Sequence, residues 1–171
     1  MFSDVQQRQL SVDSRIEDIQ IRSIVFQGQS FHTERCAMIL HTMLDNWAFV
    51  RYSTLKHSLQ TDSDFFQMGN TTLFIEELSS LSILEQLILS RFLQKASLDS
   101  EIPVIVFGST RPLSELHKER KISAALYEEI RRIEIATSRL PATMSKIEDC
   151  LEMLLFSPQP FFDNLPIAKM S

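Results

Sequence analysis

With 171 residues, 44% of them hydrophobic and 23% charged, the chain has the size of one globular domain. A chain of that size buries about two-thirds of its unfolded surface. The net charge of −5 is spread without a basic stripe, which argues against direct nucleic-acid binding, and no run of about 18 apolar residues offers a membrane span.

Residues 1–20 are polar, lack a hydrophobic signal core and read as an irregular or helical lead-in. Ile21–Phe26 predicts a first strand. After the short segment Gly28–Arg35 comes a helix in which Cys36, Ala37, Ile39, Leu40, Met43 and Leu44 recur at i, i+3, i+4, i+7 spacing. Strand, short loop and helix form the arrangement of a phosphate-binding loop, and also that of a plain strand-to-helix turn, the preferred reading here. Cys36 and Cys150 fall on apolar helix stripes and read as small core residues in a reducing cytoplasm rather than as a disulfide or metal ligands.

Trp47–Tyr52 predicts a second strand, and Thr72–Ile75 a strand buried on both faces of a parallel sheet. Glu76 and Glu77 follow at the carboxyl edge, where α/β sheets usually place their chemistry. The next helix, about Leu81–Gln94, is expected to turn Leu84, Leu87, Ile88 and Phe92 inward. Ala96–Glu101 is a polar turn, Ile102–Phe107 a buried strand leading into Gly108-Ser109-Thr110, and Ile133–Ile135 a short last strand. Ser145 and Glu148 are spaced as a capping box for a final helix with Ile147, Leu151, Leu154 and Leu155 facing inward. Beyond Phe156 three prolines are expected to end regular structure, and Phe161 and Phe162 there are candidate exposed anchors for a partner. His32, His41, His57 and His117 are too scattered to suggest a metal site or a triad. The alternation of strands and helices predicts a three-layer α/β sandwich with a mostly parallel sheet of about five strands.

Asn70–Gln94, NTTLFIEELSSLSILEQLILSRFLQ, closely resembles the Walker B segment of the AAA+ domain of the bacterial enhancer-binding proteins, the sigma-54 activators. Their pattern reads GGTLFLDEI, then LPLELQAKLLRVLQ. Thr72, Leu73, Phe74 and Glu77 match the first half, and Leu81, Gln86, Leu89, Arg91, Leu93 and Gln94 fall in register in the second. The resemblance spans roughly Ile21 to Leu155. It implies a P-loop NTPase (AAA+)-like domain over 21–156, a lead-in over 1–20 and a Pro-rich tail over 157–171, with no receiver, lid or helix-turn-helix expected.

Laid on the family pattern GESGTGKELLARAIH, the first loop matches at Gly28, Ser30, Ala37, Ile39 or Leu40, and His41. Phe31 and Thr33 stand at the two later glycine positions, and Glu34 stands at the lysine position. Such a loop uses glycine to turn backbone N–H groups toward phosphate and lysine to meet its oxygens. A carboxylate there exchanges an attraction for a repulsion, each about 4 kcal/mol at 4 Å with an effective dielectric of about 20. Glu76 and Glu77 occupy the family's Asp and Glu positions, the first for water-mediated Mg²⁺ contact and the second for orienting the attacking water. Ser109 or Thr110 takes the place of the sensor Asn. Ser123 and Glu129 replace two arginines that reach the neighbouring ATP, and the GAFTGA excursion that engages sigma-54 has no counterpart between Ser53 and Thr72.

The resemblance therefore implies no catalytic residues, no metal and no cofactor. It leaves Gly28, Ser30, Thr33 and Glu34 as a Walker A remnant, Glu76 and Glu77 as a Walker B remnant, and Ser109 and Thr110 as sensor-like positions. The expected function is a catalytically inactive, cytoplasmic protein-interaction or regulatory module in bacterial transcription, within the setting of two-component systems. Its expected partner is a protein, either an active sigma-54 activator subunit or a second copy. The alternative is an atypical nucleotide-binding protein or weak ATPase that uses Glu76, Glu77 and Ser109 with ATP and Mg²⁺; a scaffold outside transcription is a third reading.

Overall fold

Alternate residues of the apolar runs point to opposite faces. Ile24 and Phe26, Phe74, and Val104 and Val106 join one buried cluster, while Val25, Leu73 and Ile75, and Ile105 and Phe107 join another. That alternation is what a central sheet covered on both sides requires. The computed structural model describes residues 21–96, 101–141, 144–156 and 168–169. The lead-in, Phe161 and Phe162 lie outside the described residues, as do the side chains of Ser145, Leu154 and Leu155.

Five parallel strands, β1 (Ser23–Gln27), β2 (Phe49–Arg51), β3 (Thr72–Ile75), β4 (Val104–Ser109) and β5 (Glu134–Ala136), lie in the order β2-β3-β4-β1-β5. The two-residue β6 (Ala168–Lys169) adds to β5 antiparallel, inside the tail where no regular structure was expected. One face is covered by α1 (Ser30–Leu44), whose Cys36, Ala37, Ile39 and Leu40 are buried, and by α7 (Met144–Phe156), through Ile147 and Leu151. Between β2 and β3 run the short helices α2 (Tyr52–Leu55) and α3 (Asp62–Phe66). The other face carries α3, α4 (Ile83–Lys95), α5 (Leu113–Lys118) and α6 (Ala124–Ile130). Phe65 of α3 packs on Phe92 of α4 with ring centroids 5.4 Å apart. The three-layer α/β sandwich is therefore as the sequence predicts.

Two further expectations are corrected. Leu84 and Leu87 do not face the core: they are 62% and 40% exposed, beside Ile83 at 85%. Ser82 and Glu85 close a capping box that starts α4 at Ile83, and the buried side runs through Gln86, Ile88, Leu89, Phe92 and Leu93. Gln86 has turned inward because the residue Leu81 ahead of α4 and the loop before α6 together supply partners for its amide. Its Nε2 donates to the carbonyls of Leu81 and Lys121, both at 3.1 Å, and its Oε1 accepts from the Ser123 N–H at 2.7 Å. Trp47 is not a strand residue either; it is exposed ahead of β2, and Tyr52 already begins α2. Among the described residues no helix is long and apolar enough to cross a membrane.

Candidate functional site

The carboxyl ends of β1, β3 and β4 meet where the strand order reverses. α1 leaves β1 toward β2 on one face, while α5 and α6 leave β4 toward β5 on the other. In an open α/β sheet that switch point is where a crevice forms.

The first loop is short. Gln29 is the residue before α1, which begins at Ser30, so Phe31, Thr33 and Glu34 all lie in its opening turns. The amides of His32 and Thr33 both donate to the Gln29 carbonyl, at 2.9 and 3.0 Å. They are spent on the helix rather than turned outward in a cradle. Gly28 continues the β1–β4 ladder, its N–H donating to the Ser109 carbonyl at 2.8 Å. A Cβ at Gly28 would collide with the Thr137 hydroxyl, so close packing is enough to require glycine there.

Thr33 is 1% exposed, and its Oγ1 donates to the Ser30 carbonyl at 3.0 Å. It lies directly above Gly108: a Cβ built there would stand 3.1 Å from Thr33 Oγ1 and 2.6 Å from the Glu76 carbonyl oxygen. The middle of the switch point is thus filled by a threonine side chain and the Glu76 backbone, resting on a glycine of β4.

Each carboxylate at this edge has a partner within the fold. Glu34 forms an ion pair with Arg51 at the end of β2. Half exposed, that pair contributes no more than about 1 kcal/mol, yet it cancels the charge that would otherwise face a ligand. Glu76 accepts from the hydroxyl of Ser53 and, at 3.4 Å, from its N–H. Glu77 splits its two oxygens: Oε1 accepts from Ser79 Oγ at 2.9 Å and caps the following 3-10 turn, while Oε2 accepts from the Thr110 N–H at 3.1 Å. That second bond ties the exits of β3 and β4 together. Ser109 is 1% exposed; its hydroxyl donates to the Arg111 carbonyl at 2.5 Å and accepts from the Arg111 N–H at 3.3 Å, in the manner of a turn. The Thr110 carbonyl accepts from Gln27 Nε2 at 3.3 Å.

Close by, the Tyr52 hydroxyl donates to Glu85 Oε1 at 2.9 Å. Burial, reinforced by the carboxylate, pushes the phenol's pKa upward. Burial also presses upward on Glu85, but the Ser82 N–H, the Tyr52 hydroxyl and the Ser82 hydroxyl outweigh it and hold that carboxyl below the usual range. Among the described residues, no group of three or more His, Cys, Asp or Glu side chains is placed to hold a metal ion.

The structure brings Gly28 and Ser109 together, Glu77 and Thr110 together, and Thr33 against Gly108 and the Glu76 carbonyl. Arg51 and Ser53, which hold Glu34 and Glu76, were not singled out from the sequence as partners of these carboxylates. The available signal was that β2, once placed in parallel beside β3, must leave its last residues at the same edge; Arg51 is in register with Phe74, two residues before Glu76.

These features define the fold as an α/β sandwich of the P-loop NTPase type. The chain is similar to a solved P-loop NTPase domain, that of the sigma-54 transport activator from E. coli, with a TM-score of 0.54 and 18% identity over 84% of this chain and 100% of that one. No family model matches the chain, and no curated protein matches it.

Proposed function

We propose that this chain is a catalytically inactive P-loop NTPase-like domain that works by binding a protein, in the regulation of bacterial transcription and in the cytoplasm. The observation that carries this reading is the internal commitment of the carboxyl edge. Glu34, Glu76, Glu77, Ser109 and the amides of His32 and Thr33 all have partners within the fold. A nucleotide entering here would have to break bonds before making any, and would meet carboxylates rather than a lysine. The similarity to the sigma-54 activator domain supports a partner of that kind, an active activator subunit or a second copy of this chain.

The test is thermal unfolding with and without Mg-ATP or Mg-ADP, on the wild type and on Glu34→Lys. A ligand at 100 times its dissociation constant would stabilise the native state by about 2.7 kcal/mol, so even weak binding would move the midpoint. The expected result is no shift for either protein. A clear shift in the wild type would favour the second reading, a weak ATPase, whose support is the position of Glu77 at the end of β3. Slow hydrolysis lost in Glu77→Gln would establish it. For the partner, gentle co-purification from the native host is expected to recover an activator-type protein or the chain itself; recovery of neither would count against that assignment.

A further inference from the structure

We draw no further inference here: the strongest candidate, the exposed apolar face of α4 formed by Ile83, Leu84 and Leu87, carries nothing because nothing in the structure shows what covers it.

Discussion

His41 Nδ1 and Thr72 Oγ1 lie 2.9 Å apart, and the neighbouring Asn46 joins them in a three-residue polar contact. Asn46 Nδ2 donates to the Thr71 carbonyl at 3.3 Å and to Thr72 Oγ1 at 2.9 Å, and a carbonyl only accepts, so the amide orientation is set. The hydroxyl of fully buried Thr72 is thus shared between the Asn46 amide, from which it accepts, and the His41 ring. This joins α1 to β3 beneath the site. Thr72→Val, which removes the hydroxyl partner of both Asn46 and the His41 ring, is expected to cost about 1–3 kcal/mol in urea unfolding; an unchanged midpoint would rule out the arrangement.

Gln86 is the polar pin of the opposite layer. Buried, it satisfies the Leu81 and Lys121 carbonyls and the Ser123 N–H together. Gln86→Leu keeps the volume but leaves those backbone groups unpaired, at a penalty of roughly 1–3 kcal/mol for a buried group. Calorimetry should show a lower melting temperature, and amide exchange at Ser123 should accelerate. Protection at Ser123 equal to wild type would contradict the bond.

Glu77 has a structural task at the junction of β3 and β4, independent of any ATPase role. Its two oxygens serve different donors, Ser79 and the Thr110 N–H. Glutamine retains one acceptor and places an NH₂ where the second was, so Glu77→Gln is expected to lose about 1 kcal/mol of stability. The loss should be the same with and without Mg-ATP. A loss appearing only in the presence of nucleotide would return the residue to a ligand-facing role.

Acid should weaken the fold from the α3–α4 side. Glu85 is held below its usual range by Ser82 and Tyr52, Asp62 by its bond from Lys95, and Asp64 chiefly by the Thr61 N–H. A depressed folded-state pKa contributes stability that is present above the unfolded value and is lost as pH falls through the folded one. The window therefore opens near the unfolded carboxylate range, about pH 4, and extends below it. Urea midpoints measured downward from about pH 5 should decline, and the decline should be shallower in Glu85→Gln. Parallel curves for the two proteins would remove Glu85 from the account.

The sheet was legible because its information is local. Thr72–Ile75 reads as a strand from composition alone and is one in the structure, and the strand regions around β1, β4 and β5 are placed within about two residues by their branched and aromatic runs. The outward turn of Leu84 and Leu87 was not legible. Apolar spacing allows more than one inward face, and the choice here follows the bonds from Gln86 to Lys121 and Ser123, 35 and 37 residues away. The partners of Glu34 and Glu76 were hidden for the same reason: Arg51 and Ser53 reach them only after β2 has paired with β3.

The early start of α1 also bears on which neighbouring sequences are accessible to mutation. With the helix already wound at Ser30, Glu34→Lys alone would place a second cation beside Arg51, while the amides of His32 and Thr33 stayed tied to Gln29. Glycine at Thr33 alone would empty the space above Gly108 and loosen the helix. Each single step toward a loop with lysine and glycine at these positions therefore descends in stability. A lineage carrying this arrangement is more readily refined at its surface than rebuilt in this loop.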